Sequence, residues 1–144
     1  MIALKTRTFA LTAIALPLAL GLAACGSGGG DEAALNGEPV ETVPAPEGQV
    51  WSETVEMTDR NGFLVGNPDA PIKLVEYGSL TCPGCAQFSQ TASEPLMNEY
   101  VDTGRVSFEL RSFAIHGPID LALTRLIECG SPEQAVPLAD QVWA

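Results

Sequence analysis

Apolar and polar positions divide the chain into two unlike parts. Thr8 to Ala24 is an uncharged, mostly apolar run, and Gly26 to about Gly48 is rich in Gly, Ser, Pro, Glu and Asp with few large apolar side chains. From Trp51 onward apolar residues recur in short blocks separated by turn residues, the mark of an ordered domain. Gly62 to Gly66 is a short apolar run that predicts an edge strand, and Asn67-Pro68-Asp69-Ala70-Pro71 is a turn cluster. Ile72 to Tyr77 is almost continuously apolar, which predicts a strand buried on both faces. The period then changes. Cys85, Phe88, Ala92, Leu96 and Tyr100 follow at three- and four-residue spacing, one stripe of a core-facing helix that begins at Pro83. Pro95 predicts a kink or break, with Ser93 able to cap a restart. Asp102-Thr103-Gly104 stops the helix, and Val106 to Phe113 alternates as a third strand. Strand, helix and strand within roughly forty residues form a βαβ unit, hence a parallel pair with a right-handed crossover. Ile119 to Cys129 reads as a helix ended by Gly130. Ser131-Pro132-Glu133-Gln134 has the form of a capping box for a further helix, with Pro137 disturbing it early. The fold class is α/β.

The start of the chain adds a location. Lys5 and Arg7 precede the apolar run, and Leu22-Ala23-Ala24-Cys25 closes it. A basic region, a short apolar stretch and small residues read as a secretory signal over residues 1–24 rather than a spanning helix, which Pro17 also disfavours. The Leu-Ala-Ala-Cys sequence resembles the lipobox of bacterial lipoproteins. That resemblance implies cleavage before Cys25 and acylation of Cys25 with two or three chains, enough for stable membrane anchoring. The plainer alternative is an ordinary signal with an incidental Cys25. Residues 25–50 then read as a disordered acidic tether, and 51–144 as the domain, held in the periplasm or cell envelope. Losing the two cations Lys5 and Arg7 with the leader moves the formal net charge from −11 to −13. Such a chain repels phosphate and has no basic patch for anionic lipid, so nucleic-acid binding is excluded.

The candidate chemistry lies between the second strand and the first helix. Cys82 and Cys85 are separated by Pro83 and Gly84, at the point where the pattern changes from strand to helix. Pro83 suits the first helical position, where its missing N–H costs nothing. Residues three apart on a helix are neighbours, with Cβ atoms roughly 5–6 Å apart. A disulfide requires Cα atoms about 4.4–6.8 Å apart, so Cys82 and Cys85 can bridge with little movement. Cys82 sits at the open helix end beside unpaired N–H groups, which favour the nucleophilic thiolate. Cys85 lies one turn inside. The spacing thus makes Cys82 the attacking sulfur and Cys85 the one that resolves a mixed disulfide.

Residues 66–85, Gly-Asn-Pro-Asp-Ala-Pro-Ile-Lys-Leu-Val-Glu-Tyr-Gly-Ser-Leu-Thr-Cys-Pro-Gly-Cys, resemble the DsbA-like branch of the thioredoxin superfamily, and the likeness continues through residues 60 to 144. The resemblance implies a thioredoxin-like fold carrying the start of a helical insertion. It also implies an extracytoplasmic thiol–disulfide oxidoreductase without cofactors, acting on substrate proteins with thiols or disulfides and recycled by a redox partner. It makes Cys82 the nucleophile, Cys85 the resolving cysteine and Glu76 a buried acid that assists proton transfer near Cys85. A solvent-facing strand-end carboxylate is the plainer role for Glu76. Two departures stand out. Strongly oxidising members place a histidine between the cysteines, whereas Pro83-Gly84 supplies no such donor, so Cys82 is expected to be less acidic and the couple less oxidising. Family members also carry a β-hairpin with a cis-proline and a final helix after the insertion. None follows Ala144 here, so the resemblance implies a truncated member with an unpaired sheet edge, poor stability and weak activity.

Two other readings use the same residues. Cys82, Cys85, His116 and Cys129 have the ligand types of a zinc or copper site, which suggests a metal-binding lipoprotein. A catalytically inactive fragment is the other. Cys129, before Gly130, is expected to be a small buried apolar residue, or else to pair with a cysteine outside this chain.

Overall fold

The computed structural model describes residues 39–144. The leader, Cys25 and the first part of the acidic stretch lie outside the described residues. Four strands, β1 (Val55–Met57), β2 (Phe63–Gly66), β3 (Ile72–Gly78) and β4 (Val106–Ser112), form one sheet in the order β1-β2-β4-β3. β3 and β4 are parallel, with Glu76 opposite Leu110, while β1–β2 and β2–β4 are antiparallel. The helical crossover from β3 to β4 comprises α1 (Pro83–Phe88), a π turn (Ser89–Ser93), α2 (Glu94–Leu96) and a second π turn (Met97–Val101). After β4 come α3 (Pro118–Glu128) and α4 (Pro132–Trp143). The βαβ unit and the two later helices lie where the sequence places them, although Ile119, Leu121 and Leu126 of α3 are exposed.

The core is built on β2 and β4, where Phe63, Val65, Phe108 and Leu110 are buried and meet Ala139 and Trp143 of α4. Phe88 stacks on Phe108 with ring centroids 6.4 Å apart, which fixes α1 against the sheet. The segment before Trp51 is tied down as well. Val43 donates its N–H to Thr103 O at 2.9 Å, and its carbonyl accepts the Trp51 indole N–H at 2.7 Å.

Several expectations need correction. β2 is not an edge strand. β1 covers its outer side, and β1 is too short to show a period of its own. β3 is not buried on both faces. It has a single neighbour among the described residues, and Leu74 and Tyr77 are 38% and 59% exposed. The strand buried over five consecutive residues is β4, despite its Ser107 and Glu109. Its carboxylate is paired, since Glu109 accepts from Arg111 and from Thr58 at 2.6–2.8 Å. A mostly apolar run reports hydrophobicity, not the number of neighbouring strands.

Pro95 does not break the helix. Ser93 has helical dihedrals and makes no cap, and the chain stays helical from Pro83 to Val101. The wide turns on either side of Pro95 change the hydrogen-bond register, as in the bond from Asp102 N–H to Met97 O at 2.9 Å. Each wide turn also rotates the stripe. Tyr100 is therefore turned out to 46% exposure beneath Arg105, and Val101 takes the core position at 0%. Ser131 is the N-cap of α4, but its side chain makes no capping bond. The Gln134 N–H goes to the Ser131 backbone carbonyl at 3.0 Å instead. Pro137 lies inside α4 without ending it. Phe113 falls outside β4, and it meets Tyr77 edge-on rather than entering the core.

Candidate active site

The site begins where β3 ends. Gly78 is the last residue of the strand, and only glycine fits there: a Cβ would lie 2.7 Å from Leu110 Cδ1 and 3.3 Å from the Trp143 ring. The turn Ser79-Leu80-Thr81-Cys82 follows, closed by the Cys82 N–H to Ser79 O at 3.1 Å. Cys82 is the N-cap of α1 with extended dihedrals (φ −86°, ψ 121°), Pro83 occupies the first turn, and the first helical bond runs from Ala86 N–H to Cys82 O at 3.1 Å. Both placements match the sequence expectation.

The geometry makes the two sulfurs chemically different. The Cys85 backbone N–H, the Cys85 thiol and the Gly84 N–H favour the Cys82 thiolate, and together they hold its pKa below the ordinary thiol value. Partial desolvation and the charge of Asp120 oppose this. Cys85 goes the other way. Burial pushes its thiol up, and neighbouring Cys82 and Glu76 add to the shift. Glu76 projects from β3 toward the same helix. It lines a small cavity with Phe88, Phe108, Leu110, Trp143 and Asp140. Burial raises its carboxyl, the Cys85 thiol offsets this in part by hydrogen bonding, and the Asp140 charge raises it further. Cys82, Cys85 and Glu76 are thus brought together.

His116 and Cys129 are not brought to them as a ligand set. His116 Nδ1 lies 2.9 Å from Thr81 Oγ1 and 3.3 Å from Ser79 Oγ. Cys129 is exposed at the C-cap of α3, not buried as expected. Among the described residues no group of three or more His, Cys, Asp or Glu side chains is placed to hold a metal ion. Copper or zinc ligation by Cys82, Cys85 and His116 therefore has no assembled site to use.

Sequence reasoning missed two residues behind the turn. Asp120, at the third position of α3, is completely buried and accepts four hydrogen bonds from the loops around the site. Trp143 donates its indole N–H to Ser79 O at 3.1 Å. An acidic residue in the first turn of a helix has an ordinary explanation in the helix dipole, so Asp120 gave no separate signal. A Trp near the end of a helical segment reads simply as core.

Comparison with known proteins gives the family. The chain is 36% identical over 84 residues to a Rickettsia bellii protein provisionally named a protein-disulfide oxidoreductase, covering 58% of this chain and 32% of that protein. Among solved structures, a protein-disulfide isomerase from Novosphingobium aromaticivorans superposes with a TM-score of 0.55 at 32% identity, covering 57% of this chain and 41% of that one. Wolbachia pipientis alpha-DsbA1 superposes with a TM-score of 0.52 at 31% identity, covering 56% and 40%. The chain spans well under half the length of these relatives. Residues 58–143 match the thioredoxin family. With that match, the mixed α/β sheet and the DsbA-type structural neighbours, the chain belongs to the thioredoxin family.

Proposed function

We propose that this protein is an extracytoplasmic thiol–disulfide oxidoreductase whose working pair is Cys82 and Cys85. The observation that carries the reading is the contrast between the two sulfurs. One stands at an open helix N-terminus facing backbone N–H groups, and the other lies a turn deeper above a half-buried carboxyl.

In the reducing direction the Cys82 thiolate attacks a disulfide sulfur of the substrate protein. A bond forms between Cys82 and that sulfur, and the other substrate sulfur leaves as a thiolate that takes a proton. Cys85 then gives its proton to the Glu76 carboxylate and attacks Cys82 Sγ. The Cys82–Cys85 disulfide forms, and the second substrate sulfur leaves with the electron pair of the mixed disulfide. The substrate gains two electrons and the dithiol loses two. Oxidation of a substrate dithiol is the same path reversed. Pro83 and Gly84 place no cation or histidine between the sulfurs, so the thiolate is stabilised by backbone N–H groups and the Cys85 thiol without a cation, and the couple is expected to be milder than that of the strongest oxidants. Substrate proteins with thiols or disulfides, a separate redox partner that recycles the pair, and membrane attachment through an acylated Cys25 complete the reading.

The test is trapping. Cys85→Ser mixed with a disulfide-bearing protein is expected to accumulate a mixed disulfide at Cys82 that dithiothreitol releases. Cys82→Ser is expected to accumulate none. Equal trapping by the two variants, or no trapping by Cys85→Ser, refutes the assignment.

A further inference from the structure

The turn that presents Cys82 is held by a carboxylate with no part in the exchange steps above. Asp120 is 0% exposed. Its Oδ2 accepts the Ser79 hydroxyl at 2.7 Å, the Ile115 N–H at 2.9 Å and the His116 N–H at 3.2 Å, and its Oδ1 accepts the Leu80 N–H at 3.0 Å. A buried carboxylate without such partners would be strongly destabilising. Here the donors come from two separate segments, the turn entering α1 and the loop entering α3, so one side chain joins both. The connection continues to the cysteine. Ser79, which donates its hydroxyl to Asp120, also accepts the Cys82 N–H at 3.1 Å and the Trp143 indole N–H at 3.1 Å through its carbonyl. Leu80, bonded directly to Asp120, is two residues from Cys82.

We infer that Asp120 is a positioning residue for the Cys82 sulfur: its hydrogen bonds fix the Ser79–Cys82 turn, and its buried charge stands behind the sulfur that the turn presents. The inference rests on the exchange reading of Cys82 and Cys85 and adds a control to that same site. Burial alone would push the Asp120 carboxyl up, but the Ser79 hydroxyl and the N–H groups of His116, Ile115 and Leu80 outweigh it and hold it below the usual range, so the group stays ionised. A permanent negative charge there opposes the thiolate that the helix N–H groups favour. The other titratable groups around the pair are Cys85 on α1, Glu76 on β3, Asp140 on α4 and His116 in the loop before α3. Unlike these, Asp120 is both fully buried and bonded to the turn itself. The combined effect is a rigidly held sulfur whose acidity is restrained, which leaves the dithiol less stabilised and makes the couple more reducing.

Asp120→Asn removes the charge while its amide oxygen can keep the three donors on Oδ2, at the loss of the Leu80 N–H bond, so charge and tie move the midpoint in opposite directions. Alkylation by iodoacetamide, read at the Cys82 peptide by mass spectrometry across a pH series, gives the Cys82 titration midpoint without interference from Cys129. The midpoint is expected to fall in Asp120→Asn, so that at a pH below it the alkylation rate rises about threefold or more. Equilibration with glutathione is expected to show a more oxidising couple. Loss of a merely structural tie would loosen the turn and raise the midpoint. A rise, or no movement, in folded Asp120→Asn therefore overturns the inference. Should that variant fail to fold, the unsubstituted chain supplies the second measurement. Coupling between two sites is reciprocal. With aspartate labelled at the 13C carboxyl, the Asp120 signal is expected to step at the Cys82 midpoint, and the step is expected to vanish in Cys82→Ser. Absence of the step overturns the inference as well. Failure of the exchange reading has a separate signature, an unsubstituted chain that forms no reversible Cys82–Cys85 disulfide in the glutathione series.

Discussion

Glu76 carries the sharpest expectation at the scale of single residues. Its carboxyl is raised by burial and by Asp140, with the Cys85 thiol pulling partly the other way. A base with a raised pKa beside a thiol of raised pKa can exchange a proton with it, which an amide cannot. Glu76→Gln is therefore expected to slow the resolving step about tenfold at neutral pH, below the usual range for acid–base catalysis because the residue is only half-buried. The first attack by Cys82 should be much less affected. Release of glutathione from chain glutathionylated at Cys82 reports the resolving step, and alkylation of Cys82 reports the first. Equal slowing of both would assign Glu76 a structural role instead. The linkage sign gives a second readout. A folded-state pKa raised above the unfolded value contributes stability present below the unfolded value and lost as pH rises through the folded one. Glu76→Gln removes that loss and should make the chain more stable toward urea at pH 7 than the unsubstituted chain.

At the scale of elements, α4 supports the active-site turn from behind. The Trp143 ring fills the space beside Gly78, and its indole N–H bonds Ser79 O. Trp143→Phe keeps most of the packing and loses one hydrogen bond. Ser79 O retains the Cys82 N–H, so the expected cost is about 1 kcal/mol. Trp143→Ala also leaves a cavity and is expected to cost about 3–5 kcal/mol. Urea unfolding of the two variants measures the difference, and near-equal costs would show that the ring does not brace the turn. The elements that carry the candidate site were visible in the sequence because their signals are local. The change of period at Pro83, the cysteine spacing and the βαβ order all lie within a single stretch. What escaped was set by tertiary contact. The exposure of β3 depends on which strands lie beside it, and the π turns around Pro95 depend on packing against the sheet that propensity does not encode. Asp120 escaped for a similar reason, since its partners Ser79 and Leu80 are some forty positions away in the chain. The thiol pair and Glu76 could be read from one segment, but the residue that holds their turn in place could not.

On the scale of the whole molecule, net charge and the open side of the sheet act against each other. β3 has one neighbour among the described residues, and Ile72, Leu74 and Tyr77 are exposed along it. An exposed apolar edge strand is a template for pairing with another copy. A formal net charge of −11 at pH 7 opposes that contact by repulsion between copies. Acid removes the opposition, because the sequence pI is about 4.2. It also weakens the fold. Asp120 and Glu109 both have carboxyls held below their ordinary values, Asp120 by the Ser79 hydroxyl and loop N–H groups and Glu109 by Arg111. Groups with depressed folded-state pKa values contribute stability present above the unfolded value and lost as pH falls through the folded one. Stability should therefore decline as pH drops below about 4, the ordinary range for carboxylates, while self-association should rise over a window that begins higher, as the net charge approaches zero. Leu74→Lys distinguishes an edge contact from general loss of charge repulsion. The lysine makes the net charge less negative, so if charge alone governs association the variant should associate more at pH 5. If the β3 edge is the contact, a charge on that edge should make it associate less, despite the weaker repulsion. Light scattering of both chains between pH 7 and pH 4 reads the outcome directly, and more association in Leu74→Lys would remove the edge from the explanation.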